Sequence, residues 1–340
     1  DVCSVIAGWM LAYMLEPLTT TLGQGHISAW LTTDSVFRDV GFATIFIVLT
    51  VLIISAGVEQ GIEKWSSRLM PSLFILMLGL IAYVFTQDGA MAGLKHYLVP
   101  DFSQITNPKL IVSAMGQAFF SMSLGVGTML VYGSYIRADE NLPVVGALVT
   151  LTDMSVAFLA GLLVLPAIFV AHELGVPIYA ESGDLIAGPN LIFQVLPALF
   201  QNMGATGLFV SFAFFVLMSI AAVTSSISML EVPVSYAVEA HQVGRNKATW
   251  LIGLIVLGIS TVICLNFDLL FGYVADISTQ FAQPLLSMML CIFTGWIFYR
   301  NSILQELKNG SPDVEQGLFW KIWPTYVKFF CPLLIVITFA

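Results

Sequence analysis

The chain has 340 residues, 58% of them hydrophobic and only 10% charged, with a formal net charge of −9. Soluble domains carry roughly 25% charged residues, so this composition excludes a water-solvated enzyme or binding module and requires lipid as the solvent. The negative balance also argues against nucleic acid as a partner.

Spanning a hydrocarbon core takes about 18 apolar residues or more. Nine such stretches are read in chain order, at 1–15, 41–58, 69–86, 110–136, 142–171, 207–238, 248–265, 269–298 and 323–340. Residue 1 is not Met and already lies in an apolar run, and Ala340 ends the chain inside another, so the expectation is that both ends are cut. The opening run lacks the basic flank and small-residue cleavage site of a secretory signal. Cys3, Cys264, Cys291 and Cys331 lie in or beside spans without paired spacing and read as packing residues.

Loop charges supply the orientation. Loops 59–68, 137–141, 239–247 and 299–322 hold Lys64, Arg68, Arg137, Arg245, Lys247, Arg300, Lys308 and Lys321, whereas the alternate loops hold Arg38, Lys95 and Lys109. The positive-inside rule assigns the first set to the cytoplasm. Loop 172–206 carries Glu173, Glu181 and Asp184 and the apolar run Leu191–Phe200. It reads as an external cap, either a helical hairpin folded over a pathway or a plain exported loop.

Span 110–136 is the most informative. At about 1.5 Å per residue it would form a helix of roughly 40 Å, longer than the core requires. Ser121, Ser123, Gly125 and Gly127 sit near its middle. Glycines beside hydroxyls weaken a helix and offer polar groups to freed backbone. Interrupted helices of this kind build ion and substrate sites in transporters, exposing carbonyls to a cation and N–H groups to a carboxylate; a Gly/Ser face for close helix packing is the other reading.

In span 207–238, Ala221, Thr224 and Ser225 share one helical face at i, i+3 and i+4. Such hydroxyls converge on a ligand or simply bond back to the preceding turn. Asp153 lies inside an apolar span, where an unpaired carboxylate costs about 2.5–3.5 kcal/mol; it is either functional or hydrogen-bonded at a helix end. Glu231 is a second candidate buried acid. Glu16 and the four histidines fall in loops or at span ends and carry no assignment.

Three stretches carry a family resemblance: GQAFFSMSLGVG (116–127) with YGSYI (132–136), TSSIS (224–228) ahead of Glu231, and GVEQGIEKWSSRLMPSLFIL (57–76) with YLVPDFS (97–103). In order, and over essentially the whole chain, they resemble the bacterial branch of the neurotransmitter:sodium symporter family. The resemblance implies an all-α polytopic membrane protein with the inverted-repeat (5+5) leucine-transporter-like fold. The chain would form a single transporter domain, 1–340, in which the nine spans correspond to the family's third to eleventh helices. The family's first two helices and its last are expected to lie outside it, and the first of these normally supplies half of both sodium sites.

Residue by residue, the resemblance implies that Phe120, Ser121, Ser123 and Val126 form the unwound stretch facing substrate, with Phe120 in the outer gate. Ser121 would ligate a first sodium, and Ala221 (through its carbonyl), Thr224 and Ser225 a second, with Met229 lining the pocket. Asp153 falls where the family usually has an Asn ligand of the first sodium, near Gln117 and Ser121. Its carboxylate is expected to replace the chloride that some members bind there, since the serine expected four residues later is Ala157. Trp9 stands where the family has a Tyr that closes the gate and bonds the substrate carboxylate; a Trp here also reads as an interfacial anchor. Val5 would shape the pocket, and Asp276 lies near the acidic outer gate.

The function implied is alternating-access symport of sodium with an amino acid, hydrophobic or aromatic given the apolar walls Phe120, Trp9, Val126 and Met229, in a bacterial inner membrane. Monomer and homodimer both stay open. Another cation- or proton-coupled inverted-repeat transporter is the alternative. An intramembrane enzyme using Ser225 lacks a base spaced to activate it, and a channel lacks a continuous polar stripe.

Overall fold

Lipid leaves helices and closed barrels as the only structures that satisfy their own backbone, and every named element here is helical. The computed structural model describes residues 2–337 apart from 34, 101, 180–184 and 187. In chain order the helices are α1 (Val2–Thr21), α2 (Gly25–Thr32), α3 (Val36–Ser55), α4 (Val58–Val84), α5 (Ala90–Leu98), α6 (Pro108–Ser121), α7 (Thr128–Tyr135), α8 (Leu142–Glu173), α9 (Leu191–Asn202), α10 (Gly204–His241), α11 (Arg245–Leu265), α12 (Leu269–Ile297), α13 (Arg300–Gly310) and α14 (Leu318–Ile337). Glu181, Asp184 and the end of the last expected span, 338–340, lie outside the described residues.

Among the described residues, seven helices are long and apolar enough to cross a membrane: α3, α4, α8, α10, α11, α12 and α14. They match seven of the nine expected spans. The first expected span is α1, and the expected interrupted span is α6 and α7 with a gap between them. Several spans are apolar on all sides, as lipid-facing helices are; Leu148, Leu151 and Met154 of α8 and Leu251, Leu254 and Ile255 of α11 are exposed.

Two boundaries differ from expectation: residues 59–68, expected as a loop, open α4 through a π-helical turn at Val58–Glu63, and α3 begins before residue 41 for a physical reason. Arg38, expected in a loop, sits in the first turn of α3 and is 2% exposed. Its guanidinium donates to Asp39 Oδ1 from Nε at 2.9 Å and from a terminal nitrogen at 2.6 Å, and to the Leu31 carbonyl at 3.1 Å. Two adjacent charges that cancel do not end a helix.

The chain divides into two compact units. The first comprises residues 1–100 and 157–268, and its core is α1 packed between α3 and α10, with α11 against α3 and α4 and α9 against α10. Val5, Phe46, Ile54, Phe215 and Ile227 are fully buried there. The external cap expected at 172–206 contains α9, whose Phe193, Leu196, Leu199 and Phe200 are buried. The second unit comprises residues 101–156 and 269–340, in which α12 packs against α6 and α14. Residues of α8 belong to both units.

Candidate functional site

The interruption at 122–127 is built from left-handed backbone. α6 ends with Leu124 N–H bonded to the Phe119 carbonyl at 2.9 Å and Ser123 N–H to the Phe120 carbonyl at 3.1 Å, the paired bonds of a Schellman ending. The residue after the cap is Ser123 at φ 50, followed by Gly125 at φ 78 and Gly127 at φ 90. Glycine enters this region freely, whereas serine is strained there by roughly 1–2 kcal/mol. Three left-handed residues in alternation cannot continue a right-handed helix, so α7 restarts at Thr128 capped by Gly127.

Ser121, the last residue of α6, donates its hydroxyl to Asp153 of α8, with Oγ 2.9 Å from each carboxylate oxygen. Asp153 is half-buried and Ser121 exposed. Gln117 lies one turn earlier on the Ser121 face of α6, and both it and Phe120 are exposed, while Ser123 and Val126 in the gap are half-buried. The second unit thus gathers a hydroxyl and a carboxylate beside the broken end of α6.

Sequence reasoning missed a polar set behind this gap. Thr128 Oγ1, Gln283 Oε1 and Ser287 Oγ have no hydrogen-bond partner among the described residues, and each residue is more than nine-tenths buried. A Cβ at Gly125 would overlap the Gln283 carbonyl oxygen and lie 2.7 Å from Ser287 Oγ. Position 125 must therefore be glycine for its φ and for this close approach. Asp276 is the exposed last residue before a π-helical turn, Ile277–Ala282, that leads into Gln283.

In the first unit, Thr224 donates its hydroxyl to the Ala221 carbonyl at 2.9 Å and to the Ile220 carbonyl at 3.2 Å. This back-bond draws the two predicted ligands together; both the hydroxyl and the carbonyl keep lone pairs for a cation. Ser225 is exposed and Met229 half-buried one turn on. Neighbouring Ser226 bonds Thr50 of α3 at 3.3 Å.

Trp9 of α1 is enclosed by aromatic rings, with Phe193 of α9 edge-on at 5.4 Å and Phe267 at 4.9 Å between centroids. The Arg38 guanidinium lies 5.9 Å from its ring. Trp9 Nε1 is buried without a partner among the described residues, and Val5, one turn earlier, is fully buried. Tyr13, a turn further on, donates to the Phe193 carbonyl at 3.3 Å. These contacts make Trp9 part of a packed junction between α1 and the cap helix α9.

At the far end of α3, Arg245 binds the Glu231 carboxylate at 2.6 Å and the Ile54 carbonyl at 3.0 Å. Glu231 is 0% exposed. The buried acid foreseen from the sequence is thus a structural clamp joining α3, α10 and α11.

A helical membrane protein whose interrupted span places a carboxylate and a hydroxyl beside its broken end is a secondary transporter by architecture. More narrowly, a model of the sodium:neurotransmitter symporter family matches residues 40–340, and the chain belongs to that family. It is 32% identical to the sodium-dependent transporter YhdH of Bacillus subtilis, over 99% of this chain and 75% of the relative. A sodium-dependent transporter of Haemophilus influenzae is also 32% identical, over 98% of this chain and 74% of the relative. The crystal structure of MhsT in complex with L-phenylalanine superposes with a TM-score of 0.83 at 32% identity, covering 99% of this chain and 76% of that one. The leucine-transporter-like fold expected from the motifs is thereby established, as is an integral membrane protein that couples transport to sodium.

Proposed function

We propose that the protein imports a hydrophobic or aromatic amino acid with sodium, independently of chloride, across a bacterial inner membrane. The observation that carries the ion chemistry is the Ser121–Asp153 pair beside the broken end of α6. Sodium is a hard cation served by oxygen ligands, a preference extended here from calcium and magnesium. A carboxylate already at the position neutralises the ion from within, which removes the need for an external anion. A second sodium is assigned to Ala221, Thr224 and Ser225 of α10.

The substrate contacts are assigned to Val5, Trp9, Ser225 and Met229 in the first unit and to Phe120, Ser123 and Val126 in the second, with Trp9, Phe120 and Asp276 as gating residues. Apolar walls with a few polar groups suit an apolar side chain, and the relative MhsT was solved with L-phenylalanine. The chain is read as one transporter domain across both units. Coupling follows if sodium binds one state of the alternating-access cycle more tightly than the other.

The test is uptake of a labelled amino-acid panel into proteoliposomes holding the complete protein. Uptake of aromatic or branched amino acids is expected to require an inward sodium gradient and to survive replacement of chloride by gluconate. Uptake that collapses without chloride overturns the carboxylate assignment; uptake indifferent to sodium overturns the whole reading.

A further inference from the structure

Where the cap helix α9 meets α1, α2 and α10, the first unit contains a cavity of ≈ 20 Å³. Its polar lining is Tyr13 and Glu16 of α1, Thr32 of α2, Gln201 of α9 and Ser211 of α10, and the rest is apolar. Glu16 is half-buried, and among the described residues it is in no ion pair. Its Oε1 accepts from the hydroxyls of Thr20 and Ser28 at 3.0 Å each, while Oε2 has no hydrogen-bond partner among the described residues. Ser211 is 5% exposed, and its hydroxyl is likewise without a partner among the described residues.

We propose that this cavity is a site for a monovalent metal cation of sodium's size, separate from the transport sites. A buried hydroxyl without a partner is costly, and so is a half-buried carboxylate without a counter-ion. A water in the cavity would relieve Ser211 and leave Glu16 uncompensated, whereas a cation relieves both. One water-sized sphere takes about 10–15 Å³, so there is room for a single ion and none for an organic ammonium. A lone carboxylate matches one positive charge, whereas calcium sites gather several. The further oxygens come from hydroxyls and an amide. Tyr13 already donates to the Phe193 carbonyl and Thr32 to the Ala29 carbonyl, each at 3.3 Å, which leaves their oxygen lone pairs for the cation, beside those of Ser211 and Gln201.

The loop charges put this end of the first unit outside the cell, facing the sodium that drives uptake. Ser211 stands 14 residues before Ser225 on α10, about 21 Å along the helix at 1.5 Å per residue, so the ion here is not the one assigned to Ala221, Thr224 and Ser225. Bound by α1, α2, α9 and α10 together, it ties the cap to the helices beneath. The segment α9 presents Phe193 to Trp9 and Tyr13, so external sodium would set how firmly the cap packs against Trp9.

Hydrogen exchange of α9 in the complete protein is followed by mass spectrometry in sodium chloride and in choline chloride of equal ionic strength. Sodium is expected to slow exchange across Leu191–Asn202 in the parent. Glu16→Gln keeps the shape and removes the charge, and should raise the sodium concentration for half of that protection by roughly 10-fold or more. Ser211→Ala should shift it in the same direction, and carries the test if Glu16→Gln fails to fold; sodium-driven uptake checks the folding of each. Equilibrium binding of radiolabelled sodium, at a concentration that fills the parent, should fall by one ion per protein in Glu16→Gln. The same sodium midpoint in the parent and both variants overturns the proposal, as does an unchanged number of bound ions, since a cavity that holds only water gives both results.

Discussion

The Ser121 hydroxyl and the Asp153 carboxylate are joined across two helices, with Oγ 2.9 Å from both carboxylate oxygens. One neutral donor cannot compensate a carboxylate inside a span, and a bound cation can. Two opposite charges about 4 Å apart at an effective dielectric near 20 attract by about 4 kcal/mol. Asp153→Asn keeps the shape and removes the charge, so the sodium concentration for half-maximal uptake should rise at least roughly 10-fold, within that energy. Added chloride should partly restore the Asn variant and leave the parent unaffected. Sodium titrations in chloride and in gluconate read both effects; an unchanged sodium dependence would refute the assignment.

Arg245 and Glu231 form an ion pair whose carboxylate is fully buried. Removing one partner of a buried pair costs about 3–5 kcal/mol because the other charge is left in an apolar interior. Arg245→Ala is therefore expected to lower thermal stability strongly. The double variant Glu231→Leu with Arg245→Met should recover much of the loss. Melting curves of the purified protein in detergent decide it: a double variant no better than Arg245→Ala would mean that the Ile54 contact dominates.

How much of this was legible in the sequence depended on whether a feature had a period. The spans were visible because about 18 apolar residues in a row have few other uses, and the interruption was visible because Gly125 and Gly127 sit beside two serines. Arg38 misled because a charge in sequence looks like a loop, and nothing local shows that Asp39 neutralises it. Gln283 and Ser287 gave no signal, since one polar residue per turn in a long apolar stretch is ordinary; only the approach of Gly125 gives them meaning.

Gly125→Ala should be among the most damaging single substitutions. The new methyl would overlap the Gln283 carbonyl, and position 125 stands at φ 78. Overpacking costs about 1–3 kcal/mol, and left-handed backbone costs a further 1–2 kcal/mol or so for alanine. A fall in melting temperature together with lost uptake is expected. Gly116→Ala on α6, where nothing stands within 4 Å, is the control that should leave both nearly unchanged.

Arg38→Lys should fail as a conservative replacement. The guanidinium reaches one Asp39 oxygen through two nitrogens and the Leu31 carbonyl through a third, and a single ammonium cannot reproduce that fork. A destabilisation of about 1–3 kcal/mol is expected, the range for charged-group hydrogen bonds, read by thermal unfolding. A lysine variant as stable as the parent would show that charge alone suffices there.

Trp9 gives the sharpest test of the substrate assignment, because its ring and its N–H have separable roles. The ring packs against Phe193, Phe267 and the Arg38 guanidinium, while Nε1 is buried with no partner among the described residues. If that N–H meets the substrate carboxylate, the bond is charge-assisted and contributes about 1.5–3 kcal/mol, or roughly 10- to 100-fold in affinity. Trp9→Phe keeps an aromatic ring and deletes the donor, so amino-acid affinity should fall within that range. Trp9→Tyr returns a hydroxyl donor on a ring of the same size as Phe, and should recover part of the loss. Equilibrium binding of labelled substrate in saturating sodium compares the two variants directly. Equal affinities for Phe and Tyr at position 9 would assign Trp9 to packing alone, because the two side chains differ only in the polar group that the substrate would meet.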